Sequence, residues 1–384
     1  MKLRTDCPGC GGRRLGTPFV LPRQPVVLNY RFPDAAAARR VPRRNVSLVQ
    51  CHACGLAFNA TFDPSVIPYD GGYENRQCFS PAFVSHLETL AARLARHLPE
   101  TGGSVLEVGC GKGDFLRMVC RRPDVVGVGY DTSHEGREVE GNLRFHRRYV
   151  GPADVDQAHD LILCRHVVEH VGPIGEFFVE LAAIARAAGN PLVVVETPRF
   201  EWIVKNRCLW DVFYEHCNYF PMATLAHLAR RAGFRVERHS RVFGGQYQLL
   251  ELRLAKVQRP PVPPRLATDA RLAPFARAAR RKLDGIERDV ERLVGRGRWA
   301  IWGAGAKGVA LVNQLRTVRP DCVIDSNAAK QGCVIPGSSV PVVAPSDPRV
   351  LRLGLILIAN PNYAGEISET LKPLGYPGGL LVLQ

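Results

Sequence analysis

The chain has 384 residues, 51 basic against 36 acidic for a net charge of +15, and 46% of it is apolar. That composition excludes a disordered chain and leaves room for two or three domains. No apolar run approaches the roughly 18 residues of a membrane span, and "MKLRTDCPGCGG" lacks the apolar core of a secretory signal, so a cytoplasmic protein with reduced thiols is expected.

The positive charge is spread along the whole chain. It fits a solvated basic surface or an anionic partner. Nothing resembles an aromatic-interleaved RNA platform, so a phosphorylated small molecule ranks ahead of nucleic acid.

Residues 1–68 hold two Cys-x-x-Cys knuckles, "CPGC" at Cys7 and Cys10 and "CHAC" at Cys51 and Cys54. Each is followed by glycine, which allows the tight bend that turns backbone amides toward thiolates. Four such thiolates fit a tetrahedral structural Zn²⁺. Reduced surface thiols or a redox pair are the alternatives, although a redox Cys-x-x-Cys needs no twin. The spacer between the knuckles can hold a small sheet, and the ion would secure a lobe with too little core of its own.

Residues 69–256 alternate apolar runs with amphipathic stretches, the pattern of a βα fold. The strongest signal is "SVLEVGCGKGDFLRMVC": a buried strand, a turn with Gly109, Gly111 and Gly113, and a helix. The first glycine permits the turn, the second lets a ligand lie against the backbone, and the helix start favours a negative group. Glu107 ends the strand. Asp131 ends the next one, "VVGVGYD", where an acid can bind two ribose hydroxyls.

On these residues, with "DLILCRHVVEHV" further on, the segment resembles the class I S-adenosylmethionine-dependent methyltransferases; a nicotinamide-binding fold is the alternative. The resemblance implies that Glu107, Gly109, Gly111 and Gly113 cradle the amino-acid end of S-adenosyl-L-methionine and that Asp131 holds its ribose. It places Arg165 and His166 in the loop over the sulfonium.

Two polar clusters follow strands. "RHVVEHV" carries His166, Glu169 and His170 after the fourth strand, and "VFYEHCNYF" carries Glu215 and His216 after the fifth, "PLVVVETP". Both leave the carboxyl edge of a parallel sheet, where ligands bind, so Glu215, His216 and His170 are expected to converge on one pocket. A histidine bonded to a carboxylate can take a proton near neutral pH. Methylating oxygen or nitrogen needs little base help. Methylating carbon needs an enolate, hence a base and donors for its oxyanion. The density of His, Glu and Tyr fits carbon; a buried pair that only ties down a loop is the alternative, as is an outward-facing His166.

The whole chain resembles a narrower group, the bacterial C-methyltransferases of deoxysugar nucleotides. Their signature, Tyr-His-Glu-His followed by an aromatic pair, is matched by Glu215 and His216 and by Tyr219 and Phe220. The resemblance implies His216 as general base, Glu215 beside it and His170 as a second active-site histidine. Phe213 stands where the group often has tyrosine, which leaves Tyr214 as a substitute hydroxyl. In "YDGGYENRQCFSPAF", a Tyr- and Ser-rich lid in that group, Tyr69, Tyr73, Asn75 and Ser80 become candidates for substrate contacts, with Tyr219. An ordered loop of packed aromatics is the alternative.

Residues 257–295 open with the Pro-rich "VQRPPVPPRL" and continue as an amphipathic helix. Residues 296–384 start a second strand–turn–helix, "RWAIWGAGAKGVALVNQL", with Gly303, Gly305 and Gly308. Alone this motif suggests a dinucleotide. The resemblance instead implies that the lobe helps bind the substrate's nucleotide diphosphate through Gly305, Lys307 and Asn360. A structural lobe without a ligand is the alternative.

The expected architecture is α/β: a central Rossmann-like methyltransferase domain, an N-terminal zinc-binding lobe and a C-terminal Rossmann-like lobe. The expected activity is methylation of a carbon next to the ketone of a nucleotide-linked ketosugar. Methylation of another small natural product, an RNA methyltransferase or nucleic-acid module, and a catalytically silent binding protein are the rivals.

Overall fold

The structure, a computed structural model, describes residues 3–70, 72–74, 76, 78–257, 262–264 and 271–383. Asn75 and most of the Pro-rich segment lie outside them. Among the described residues, no helix is long and apolar enough to cross a membrane.

The central sheet runs Phe234–Val242, Tyr247–Leu254, Leu192–Pro198, Leu161–Arg165, Ser104–Val108, Val126–Tyr130, Leu143–His146, Val139–Glu140. The five strands from Leu192–Pro198 to Leu143–His146 are parallel, and antiparallel strands flank them on both sides. The parallel strands are nearly continuous apolar runs because helices cover both faces. Strand order reverses between Ser104–Val108 and its neighbour Leu161–Arg165. A crevice therefore opens at their carboxyl ends, where polar Glu107, Arg165 and Glu196 terminate apolar strands.

The N-terminal lobe is an antiparallel sheet of Phe19–Pro25, Arg43–Gln50 and Ala57–Asn59. Its fourth strand, Asn218–Tyr219, comes from the central domain and pairs with Phe58 and Ala57. This strand exchange is not visible in the segment-by-segment reading of the sequence. It fixes the loop carrying Glu215 and His216 between two lobes.

The C-terminal lobe is a five-stranded parallel sheet centred on Trp299–Trp302. The long helix Leu272–Val294 buries Leu272, Phe275, Ala279, Leu283, Ile286 and Val290, a 3.6-residue stripe, in one core with Trp210, Leu21 and Leu311. That core spans all three regions, so the lobes are held by packing as well as by chain connection.

Candidate active site

The crevice is a cavity of about 810 Å³ bounded by all three regions. Its floor is the first glycine turn. Gly109 has φ +72, and a Cβ there would meet Val167 Cγ2 at 2.2 Å, so the turn needs glycine on both counts. Gly111 N donates to Asp131 Oδ2 at 2.8 Å, while Asp131 Oδ1 takes Ser133 N and Oγ, each at 2.7 Å. Asp131 thus pins the turn and keeps a lone pair on Oδ2 for a hydroxyl. Gly113 does not line the cavity. A side chain there would strike Phe145 at 2.5 Å, so it serves helix–sheet packing.

Three buried polar atoms of cavity-lining residues lack partners among the described residues: Glu107 Oε2, Arg165 Nη2 and His166 Nε2. Arg165 Nε is held by Glu196 at 2.6 Å, and its guanidinium lies 3.8 Å over the Phe115 ring. Burial pushes the Glu107 carboxyl up to about 7, with Arg165 opposing the rise. Unpaired buried polar atoms are costly, so a carboxylate acceptor and a guanidinium donor facing one cavity suit an amino-acid ligand. The arrangement fits the amino and carboxylate ends of S-adenosylmethionine.

His170, His216 and Glu215 all reach the cavity, as expected, but not as the pair imagined. The Glu215 carboxyl turns away from His216. It accepts from Leu28 N at 3.0 Å and from the Tyr73 hydroxyl at 3.4 Å, and burial pushes it up to about 8. His216 makes no side-chain hydrogen bond among the described residues. Its ring lies 4.1 Å from Phe213 and 4.7 Å, edge to face, from His170. Burial and the neighbouring imidazoles hold it well below the usual range, hence neutral at pH 7. His170 Nδ1 lies 3.0 Å from both the Glu215 carbonyl and the Tyr69 hydroxyl.

The carboxylate among the imidazoles is Glu169. It bonds His166 Nδ1 at 3.2 Å and Thr197 Oγ1 at 2.8 Å, and lies within 4.8 Å of ring nitrogens of His170 and His216. The sequence displayed Glu169 in "RHVVEHV" but gave no reason to prefer it over Glu215, which is adjacent to His216. Thr197, at the polar end of an apolar strand, was the further signal.

Two tyrosines correct the sequence reading. Tyr214 is fully buried, its hydroxyl accepting from Asp63 N and donating to Thr61 O, away from the cavity. Tyr219 is also buried and closes its hydroxyl on the Phe213 backbone. The demand of buried hydroxyls for partners explains both. Tyr69, Tyr73 and Ser80 do line the cavity. Ser80 caps the helix Pro81–Ala95 and donates to Glu366 of the C-terminal lobe at 2.8 Å.

On the opposite wall, Gly305 and Asn360 reach the cavity. Lys307 does too, but its ammonium is engaged by buried Asp211 at 2.7 Å and sits 4.7 Å over the Trp202 ring. Asn360 donates to Gln246 at 3.0 Å. Gly305 leaves the helix Ala306–Gln314 without a side-chain cap, so its first amides are open to an anion.

At the far end of the N-terminal lobe the four sulfurs of Cys7, Cys10, Cys51 and Cys54 lie within 4.8 Å of one another. The Cys7–Cys54 and Cys10–Cys51 separations are both 3.6 Å, too long for disulfides and close to the edge of a tetrahedron around an ion. Gly9 N and Gly12 N donate to two of the sulfurs.

Residues 83–239 match the family of methyltransferase domains, and residues 263–384 match the C-methyltransferase C-terminal domain. With the sheet order and the glycine turn, these matches make the chain a class I S-adenosylmethionine-dependent methyltransferase. More narrowly, it is a C-methyltransferase of the kind that carries this C-terminal domain. It is similar to C-methyltransferase NovU from Streptomyces niveus, 26% identical over 363 residues, covering 88% of this chain and 85% of that protein. A ubiquinone biosynthesis O-methyltransferase from Mesorhizobium japonicum is 31% identical over 134 residues, covering 31% of this chain and 53% of that protein. A solved S-adenosylmethionine-dependent methyltransferase from Mesorhizobium loti is 15% identical with a TM-score of 0.34, covering 44% of this chain and 99% of that one.

Proposed function

We propose that this methyltransferase acts on a carbon next to the ketone of a nucleotide-linked ketosugar. The observation that carries the reading is the neutral, unpartnered His216 on the wall of the cavity whose floor is the donor's glycine turn. An oxygen or nitrogen nucleophile, which attacks through a lone pair, needs little base help; a carbon acid must lose its proton before it can attack.

Bound S-adenosylmethionine supplies an electrophilic methyl group. The chain's residues do the rest. Glu107 and Arg165 hold the donor's amino and carboxylate groups, and Asp131 its ribose. His216 takes the proton from the substrate carbon. Tyr69, whose oxygen lies 3.0 Å from His170 Nδ1, keeps its own hydroxyl hydrogen for the developing oxyanion, while Tyr73 donates to Glu215 and His170 to the Glu215 carbonyl. Burial of these groups keeps water from competing. The uncapped helix start at Gly305, with Asn360 beside it, suits the substrate's diphosphate. Lys307 reads as an inter-lobe tie to Asp211 that leaves its charge only partly available.

Incubation with [methyl-¹³C]S-adenosylmethionine and a panel of nucleotide-linked 4-ketosugars tests this. The expected product has its labelled methyl resonance in the aliphatic region. A resonance in the O-methyl or N-methyl region refutes the carbon assignment.

We also propose that the four cysteines hold structural Zn²⁺. Purified protein is expected to contain one zinc per chain, and Cys51→Ser is expected to lose both the metal and the fold of the N-terminal lobe. Metal-free protein with an unchanged circular dichroism melt contradicts it.

A further inference from the structure

A guanidinium grips a carboxylate well only when its planar fork is already aimed, because the arginine stem has many rotamers to lose. Arg165 lines the cavity with a side chain that is 7% exposed, and its Nη2 has no partner among the described residues. What aims it lies behind the cavity wall.

Glu196 sits directly beside Arg165 on the neighbouring parallel strand, in register with it. It is completely buried and does not line the cavity. One oxygen, Oε2, accepts from Arg165 Nε at 2.6 Å; the other, Oε1, lies 3.2 Å from His86 Nε2. Both oxygens are therefore engaged, and neither is offered to a ligand. Phe115 lies 3.8 Å beneath the guanidinium. A bond along the Nε edge and a ring under one face together fix the plane of the fork, and they leave Nη2 unbonded.

The carboxylate is itself anchored. Had it touched Arg165 alone, the pair could swing as a unit. His86 prevents that, since it belongs to the helix Pro81–Ala95 and its ring is packed 5.1 Å from Phe243 and 5.7 Å from Phe83. Burial by itself would push the Glu196 carboxyl up. Arg165, and then His86, more than reverse this and hold it well below the usual carboxylate range. Glu196 is thus ionised at neutral pH, and its bond to Nε is charge-assisted.

We propose that Glu196, anchored by His86, is the positioning residue that aims Arg165 at the carboxylate of S-adenosylmethionine and so sets the preference for the donor's amino-acid end. It touches neither donor nor substrate and acts only through Arg165. The proposal rests on the reading that Arg165 holds that carboxylate.

Calorimetry with S-adenosylmethionine and decarboxylated S-adenosylmethionine, which differ by the one group at issue, tests this. Wild type is expected to prefer the full donor. Glu196→Gln is expected to lose about tenfold in affinity for S-adenosylmethionine while binding the decarboxylated form within about twofold of wild type. Glu196→Asp keeps the charge but withdraws it by one methylene. It is expected to show the same selective loss, and it serves where the glutamine variant does not fold. Equal losses for both ligands would mean that Glu196 only maintains the pocket, and no loss for either would mean that Arg165 is aimed without it; either result overturns the proposal. Arg165→Gln separates the underlying reading. If that variant keeps the wild-type preference, Arg165 does not hold the carboxylate and the proposal falls with that reading. If it abolishes the preference while the Glu196 variants retain it, the assignment of Arg165 stands and the role of Glu196 alone fails.

Discussion

Replacing His216 with alanine cuts the turnover number by about 10²–10⁴-fold while leaving S-adenosylmethionine affinity nearly unchanged. The glycine turn, Glu107, Arg165 and Asp131, proposed above to hold the donor, make no hydrogen bond to His216. The ring's role lies in proton transfer, so its loss falls on the chemical step and not on binding. The pH profile carries the same signature. A base must be neutral, and burial holds His216 below the usual imidazole range. The acid limb of kcat in the wild type is therefore expected well below pH 6.5. Measuring kcat against pH in both proteins, with donor affinity by calorimetry, checks the pair of expectations. A His216→Ala enzyme within about threefold of wild type would remove the ring from the chemistry.

The second large effect is on stability. Glu215 is completely buried, and its carboxyl is pushed up to about 8 from an ordinary 4.5. The folded pKa exceeds the unfolded one, so the folded state binds the proton more tightly. This group's contribution is intact below about pH 4.5 and is lost progressively as pH rises toward 8. At one pKa unit per 1.36 kcal/mol, the cost of ionising it in place is on the order of several kcal/mol. Glu215→Gln removes that cost while keeping an oxygen to accept from Leu28 N. The variant is expected to melt higher than wild type at pH 8.5 and close to it at pH 5. Some slope remains, because Glu107 is raised to about 7 for the same reason. A variant that melts lower at both pH values would show that the carboxylate is stabilising in its charged form.

Much of this molecule could be read from its residues, for identifiable reasons. The glycine turn was legible because Gly109 answers to backbone sterics, a constraint that acts within a few residues. The cluster of four cysteines was legible because two Cys-x-x-Cys knuckles, each followed by glycine, recur in the N-terminal segment. The helix Leu272–Val294 followed from its apolar period. The polar centre was harder. Adjacency in sequence suggested that Glu215 serves His216, yet Glu215 lies in a turn and its carboxyl is taken by Leu28 N and the Tyr73 hydroxyl. The carboxylate that does meet the histidines, Glu169, comes from a different strand's loop. Tyr214 and Tyr219 do not line the cavity, because backbone groups take up their hydroxyls, Asp63 N and Thr61 O for Tyr214 and Phe213 for Tyr219. Lys307 looked like a free cation in sequence, and its partner Asp211 lies in another region of the chain. What remained hidden was long-range pairing, which no local pattern encodes.

The most direct test of the central claim is hydrogen exchange at the substrate carbon. The wild-type enzyme, loaded with S-adenosylhomocysteine so that no methyl can transfer, is incubated with the nucleotide-linked ketosugar in D₂O and followed by proton NMR. Loss of the resonance next to the ketone in wild type, and its survival in His216→Ala, is the expected result. Exchange at equal rates in both proteins, or in neither while methylation proceeds, contradicts the account.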